Sequence, residues 1–303
     1  MVISMKKILL LGFIFAFSSV FADAQINTSP DSPLRVIAIF AHPDDGDIKM
    51  GGTAVMLAQM GHEVKFLSLT SGNAGHHELG GAKLANIRRA EAEEAARRFG
   101  ISEYEVFDNH DAELLPELHI RMDVIRAIRE WNADVVLSHR PNDYHPDHRN
   151  SGKLVIDASY MVIVPNVASD TPPLPNNPVF LYLEDRFTQP NPFTHDIVVG
   201  IPDEVVDQKV YALDAHESQF YEWLPWTMHR LDEVPDDPEE RLEWLREWRI
   251  GGDISDEQRA GLEKWYGTER ASQFNYAESF EIAEYGRQPT EELIRVLFPM
   301  LGN

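Results

Sequence analysis

The 303-residue chain has no cysteine. It therefore uses no disulfide, and any metal it holds must sit on His, Asp or Glu. Basic residues are scarce: 27 Lys and Arg stand against 50 Asp and Glu, a formal charge of -23. A surface of that sign repels phosphate backbones and anionic bilayers, which argues against nucleic acid or a membrane surface as partner. A glycine-rich dinucleotide fingerprint is also missing. The segment "GGTAVMLAQMG" after the first strand-like run is no G-x-G-x-x-G, so no nucleotide site is expected. There is no internal repeat and no low-complexity linker. One domain over residues 25–303 is the simplest reading, with a core at about 34–220 and a C-terminal elaboration at 221–303. Nothing in these features sets an oligomeric state.

Long apolar runs are missing too, with one exception at the N-terminus. Lys6 and Lys7 precede an apolar stretch from Ile8 to Phe21, and Ala22-Asp23-Ala24 follows it. That order reads as a secretory signal over residues 1–24, cleaved before Gln25. The apolar run is short for a spanning helix, so no stable membrane insertion is expected after cleavage. The mature chain is expected to be exported, to a periplasm or the medium.

What is present alternates between strand-like and helix-like segments. "RVIAIF" (Arg35–Phe40) is near-continuously apolar, as in a parallel strand covered on both faces. A helix over Gly51–Gly61 follows, then a strand over Glu63–Thr70 and a helix over Ala82–Phe99 stopped by Gly100. The pattern repeats with a strand at Tyr104–Asp108, a helix at Glu117–Trp131, a strand at Asp134–His139 and a helix at His148–Met161. Beyond a Pro-rich loop, "VFLYLED" and "HDIVVGI" read as strands and Asp203–Phe220 as a helix. Shorter helices are expected over Arg241–Trp248 and Asp256–Tyr266, with a break near Gly251. This order predicts an α/β fold: a Rossmann-like, doubly wound, mostly parallel sheet with helices on both faces and C-terminal helical elaborations. The expected order of the first four strands is 3-2-1-4, joined by right-handed crossovers.

Two acidic and imidazole-rich clusters sit at comparable places in that plan. "HPDD" (His42–Asp45) follows the first strand, and "HPDH" (His145–His148) follows the fourth and opens a helix. In a 3-2-1-4 sheet, strands 1 and 4 flank the switch point, where ligands bind outside the carboxyl ends of the strands. The two clusters should therefore face one crevice. Pro43 holds His42 extended and starts a turn that returns Asp44 and Asp45 toward the imidazole. Gly51 and Gly52 let the next helix pack close. His42, Asp45 and one histidine of the second cluster make three N/O ligands, the usual number for a catalytic zinc with one open position. Asp44 is then a spare carboxylate able to take a proton. Read alone, Asp147 suits a plain helix N-cap.

These residues resemble the PIG-L/LmbE-like N-acetylglucosamine deacetylase family. "AHPDD" and "HPDH" are similar to its two signatures, and "LTSGNAG", "LANIRRAEAEEAARRFGI", "YALDAHESQF" and "YAESFE" resemble further segments of it. The resemblance implies a zinc-dependent amidase acting on an N-acetylated amino sugar or glycoconjugate. It implies that His42, Asp45 and His148 bind Zn2+ and that Asp44 is the general base. It further implies that His145 is an imidazolium serving the oxyanion or the leaving amine, and that Asp147 orients His145. A His2Asp set also accepts Fe2+ or another divalent ion. An amidase on another sugar-conjugate amide, or a non-catalytic sugar-binding protein, are the competing readings. Where the family often has Glu after "HPDD", this chain has Gly46, which puts sugar contacts in that corner in question.

For substrate contacts the sequence offers Arg88, which resembles a family arginine near the site. Asp111 and Asn73 follow the third and second strands, and His216 in "AHESQ" lies where the C-terminal helix can reach the pocket. His76 and His77 are candidates for its border. Trp223, Trp226, Trp244, Trp248 and Trp265 crowd the C-terminal region, and the i,i+4 spacing of Trp244 and Trp248 favours packing over sugar stacking.

Overall fold

The computed structural model describes residues 32–250 and 252–302. The expected leader at 1–24 and the break at Gly251 lie outside these residues. The chain runs β1 (Arg35–Phe40), α1 (Asp45–Gln59), β2 (Glu63–Thr70), α2 (Gly81–Phe99), β3 (Glu103–Asn109), α3 (Leu118–Trp131), β4 (Val135–Ser138) and α4 (Pro146–Ser159). Then come β5 (Val179–Leu183), β6 (Ile197–Ile201) and α5 (Asp203–Leu213). A π-helical turn over Ser218–Trp223 leads into α6 (Leu224–Thr227), α7 (Pro238–Ile250), α8 (Asp256–Tyr266) and α9 (Thr268–Ala271). The last major elements are β7 (Tyr276–Gly286) and α10 (Glu291–Leu297).

The strands form one sheet in the order β3-β2-β1-β4-β5-β7-β6. The first five pair in parallel, and β7 runs antiparallel between β5 and β6. The expected 3-2-1-4 order is therefore present and extended by three strands. The apolar run of β1 serves two cores. Val36, Ala38 and Phe40 pack with Phe66 and Phe99 on one face. Ile37 and Ile39 pack with Val124, Ile128 and Leu154 on the other. Alternating faces with both sides covered is the reason this strand has no polar period.

Elements α1, α5 and β7 differ from the sequence reading, and α6, α9 and α10 are helices it did not place. Helix α1 begins at Asp45, not Gly51. The turn closes inside the motif, where the His42 amide donates to Asp45 Oδ2 (2.9 Å) and the Ile48 amide to the Asp44 carbonyl (3.0 Å). Gly52 is therefore inside the helix, where a Cβ would come within 2.9 Å of Ile201 Cγ2, so the close approach expected of it is real. Helix α5 stops at Leu213 instead of running to Phe220, because Asp214–His216 form a turn before the π-helical segment. Strand β7 was not expected at all. Among the described residues, no helix is long and apolar enough to cross a membrane.

Candidate active site

The carboxyl ends of β1 and β4 and the first turn of α4 bring the two clusters together. His42 Nδ1 lies 3.2 Å from His148 Nε2. His148 Nε2 lies 3.3 Å from Asp45 Oδ1, and His42 Nδ1 lies 3.5 Å from Asp45 Oδ2. Ligands 2.0–2.1 Å from a tetrahedral ion stand about 3.3 Å from one another. His42 Nδ1 and His148 Nε2 stand at tetrahedral-edge spacing, and each has a different oxygen of the one Asp45 carboxylate within 3.5 Å. A histidine that holds a metal usually gives its other ring nitrogen to a carboxylate. Here His148 Nδ1 meets Asp143 Oδ1 at 3.0 Å. His42 Nε2 lies 3.0 Å from Asp111 Oδ1 and 3.4 Å from Asp147 Oδ2, close enough for charge attraction but off-line for a hydrogen bond. The donor set and its backing carboxylates thus fit a divalent cation. His42, His145 and His148 also converge, as do Asp45, His139 and His148, and His42, Asp111 and Asp147.

Burial sets the electrostatics. Asp44 is 7% exposed, and burial lifts its carboxyl to about 6 against the pull of the Arg88 guanidinium, whose Nη2 is 3.8 Å away. Burial opposes the charge on His148, but Asp45 and Asp143 outweigh it and raise the imidazolium to about 9. Burial would also raise Asp111, yet His42 beside it brings that carboxyl down to about 2. These charged pairs hold protons where a divalent ion would displace them.

The remaining candidates sit in different roles from those the sequence suggested. Asp147 is not the N-cap of α4; His145 is, its Nδ1 accepting the Asp147 amide at 3.2 Å. The Asp147 carboxylate turns the other way and accepts the amides of Ala112 (2.6 Å) and Leu114 (3.2 Å). It therefore fixes the loop after β3, and its backbone, not its side chain, orients His145. Because Nδ1 accepts, His145 is a neutral imidazole with its hydrogen on Nε2. Burial, with the nearby charges on His42 and His148, lowers its pKa, which disfavours the expected imidazolium while those two rings are charged.

Arg88 is 2% exposed and donates to the carbonyls of Gly72 (3.1 Å) and Pro43 (2.9 Å). It ties the first motif to the loop after β2 from behind and offers no face to a substrate. Asp111 is also buried, as the partner of His42 rather than a ligand for sugar hydroxyls. Its amide donates to Asn73 Oδ1 at 2.9 Å, which leaves the half-buried Asn73 at the rim. His216 is fully buried and does not reach the pocket; its Nε2 meets Asp47 Oδ1 at 2.8 Å. Gly46 faces the core, where a Cβ would come within 2.3 Å of the Phe40 ring, so the corner it was expected to alter is not at the site.

His139 and Asp143 were missed. His139 is 1% exposed, stacks on His148 at 4.3 Å and holds Asp45 Oδ2 at 3.2 Å. Its one available signal was its place at the end of "DVVLSH", where the ring comes to accept the Ala41 amide at 3.3 Å. Trp244 and Trp248 pack together and Trp265 is buried, as the spacing favoured. Trp226, 46% exposed, instead stacks with Trp223 and His77, which ties the C-terminal region to the loop after β2.

Comparison with known proteins agrees with this geometry. The profile of the PIG-L family, GlcNAc-PI de-N-acetylase, matches residues 37–159. Diacetylchitobiose deacetylase of Thermococcus kodakarensis is 33% identical over 225 residues, 70% of this chain and 81% of that protein. A probable N-acetyl-alpha-D-glucosaminyl L-malate deacetylase 2 of Bacillus cereus is 30% identical over 61% of this chain and 83% of its own. The structure of N,N'-diacetylchitobiose deacetylase from Pyrococcus horikoshii aligns with a TM-score of 0.60 and 28% identity, covering 85% of this chain and 88% of that one. The fold also occurs in GalB, a 4-carboxy-2-hydroxymuconate hydratase of Pseudomonas putida (TM-score 0.61, 19% identity, covering 85% of this chain and 99% of that one), so it does not by itself fix a reaction. On the strength of the 33% identity and the matched profile, the chain belongs to the PIG-L/LmbE-like family of deacetylases, hydrolases of carbon–nitrogen bonds.

Proposed function

We propose that this chain is an exported, zinc-dependent hydrolase that removes the acetyl group from an N-acetylglucosamine-type substrate. One observation carries the reading: His42 Nδ1 and His148 Nε2 lie 3.2 Å apart, with one oxygen of Asp45 3.3 Å from His148 and the other 3.5 Å from His42, beside the Asp44 carboxylate that none of them uses. Those three residues would hold the ion, which supplies Lewis acidity and lowers the pKa of a water to about 7. Asp44 takes the proton of the attacking water. A buried carboxyl near 6 is ionised at neutral pH yet basic enough for that task. His145 donates from Nε2 to the oxygen on which charge develops. Its Nδ1 contact with the Asp147 amide keeps that donor aimed. Asp44 then returns its proton to the departing amine. The relatives' names, diacetylchitobiose and glucosaminyl L-malate deacetylases, support an acetamido sugar as the substrate class. Export rests on the signal pattern of residues 1–24.

The test is acetate release by the mature, zinc-loaded protein. The panel is N-acetylglucosamine, diacetylchitobiose, longer chitooligosaccharides and N-acetylglucosaminyl conjugates, each with and without a chelator. Chelator-sensitive acetate is expected from at least one. Asp44→Asn should lower kcat about 10²–10⁴-fold, the span of general-base catalysis. Activity that survives Asp44→Asn removes Asp44 as the base. A zinc-loaded protein that binds sugars but releases no acetate is a sugar-binding protein, and release of a different acid identifies another amide as the bond cut.

A further inference from the structure

Asp44 has a backbone problem that the roles above leave unexplained. Its φ is 130°, a conformation that non-glycine residues rarely adopt. Such a residue persists only where its surroundings over-determine it. The surroundings form a buried chain of three side chains from three distant parts of the sequence. The Asp44 amide donates to Tyr104 Oη at 3.0 Å. The Tyr104 hydroxyl donates to Asp47 Oδ2 at 2.8 Å. His216 Nε2 meets the other oxygen, Asp47 Oδ1, at 2.8 Å.

The directions of the two Tyr104 bonds are forced. A backbone amide only donates, so the Tyr104 oxygen accepts from Asp44 and its own hydrogen goes to Asp47. A phenol has one hydrogen, and with it committed to Asp47 only a lone pair remains for the Asp44 amide. Tyr104 is held in register by edge-on contacts with Phe40 (5.9 Å) and Phe66 (5.5 Å). Asp47 and His216 are fully buried and Tyr104 is 8% exposed, so no solvent competes for these bonds.

We infer that Tyr104, backed by Asp47 and His216, is a positioning residue that holds the strained Asp44 backbone and so aims the base. None of the three touches the ligand triad's donor atoms in the structure, and none is offered to substrate. The inference rests on the proposed role of Asp44, but its test does not depend on that role alone. The network also explains why the "AHESQ" segment, far along the chain, packs against the first motif: it brings in the donor that completes Asp47.

The experiment is Tyr104→Phe in the full mature chain, a change that keeps the ring and deletes the hydroxyl. Amide hydrogen exchange at Asp44 by NMR, on metal-free protein, reads the bond directly. Wild type should be protected, and Tyr104→Phe should lose at least tenfold of that protection while core strand β1 keeps its own. On the best acetamido substrate, kcat should fall 10-fold or more with KM within twofold and one zinc still bound per chain. His216→Gln, which retains a donor to Asp47, should fall less than His216→Leu. Unchanged Asp44 exchange in Tyr104→Phe overturns the inference. So does a loss of activity that only tracks the fraction of folded protein. If wild type releases no acetate, the proposed reaction fails, and the exchange result still decides the positioning claim.

Discussion

At the scale of single residues, the site shows how a carboxylate is spent on a histidine. His42 and His148 each offer one ring nitrogen to the same point and the other to an aspartate, Asp111 and Asp143. Such partners fix ring orientation and raise ligand basicity. Asp111, held at about 2 by its neighbour His42, keeps its charge through the whole working range. Asp111→Asn and Asp143→Asn should therefore each weaken zinc binding about 10- to 100-fold. Competition against a chromophoric chelator measures this, and affinities equal to wild type would show that neither carboxylate supports the ion. The motif residues themselves were legible because two doublets stood at matching strand ends. The supporting ones were less so. Asp111 was visible as a residue at a third strand end, but the sequence does not say whether a carboxylate there faces a sugar or an imidazole. His139 and Asp143 lie just outside the doublets, and only the closed turn brings them onto Asp45 and His148.

At the scale of elements, helix α1 carries Asp45 in its first turn, and a buried ion pair holds it further along. Glu278 of β7 accepts the amides of Gly52 (2.8 Å) and Thr53 (2.7 Å) and the ammonium of Lys209 (2.8 Å). Lys209 also donates to the Ile48 carbonyl at 2.7 Å. Removing one partner of a buried pair strands the other charge, at a cost of about 3–5 kcal/mol. Glu278→Gln should lose that much in urea unfolding monitored with chelator present. Glu278→Gln with Lys209→Met should lose less than the two single changes added together, because the stranded charge is gone. Additive losses would mean the pair is not coupled. The same strand explains a failure of sequence reading. "YAESFEIAEYG" scatters glutamates and alanines through its length, and one of those glutamates is buried for its charge rather than exposed. Neither strand periodicity nor propensity survives that use. The start of α1 was hidden for a similar reason, since Pro-Asp-Asp-Gly reads as a loop until the Asp45 carboxylate is seen to close the turn.

At the scale of the whole molecule, the parallel order 3-2-1-4 was readable because β-branched runs alternate with helical periods. From that order followed the meeting of the two motifs. What the order could not show was how much negative charge the fold would gather there. Asp44, Asp45, Asp111, Asp143 and Asp147 are each no more than 8% exposed, in a chain of formal charge -23. Arg88 and two histidines are the cations set against them at close range. Burying that many carboxylates is costly unless a counter-charge is present. A divalent ion at the proposed His42, Asp45 and His148 site would supply it, and an ion that binds only the folded state stabilises that state. At 100 to 1,000 times its Kd, the gain is about 2.7–4.1 kcal/mol. For a chain of this size, a kcal/mol moves the melting temperature by about 2–4 °C. Stripping the protein with a chelator should therefore lower its melting temperature by roughly 10 °C, and added zinc should restore it. Asp45→Asn should melt at the same temperature with and without chelator, because it removes a ligand that the ion shares with both histidines. A wild-type melting temperature indifferent to chelator and to zinc would mean that the carboxylates are balanced by protons alone and that the cluster is not a metal site.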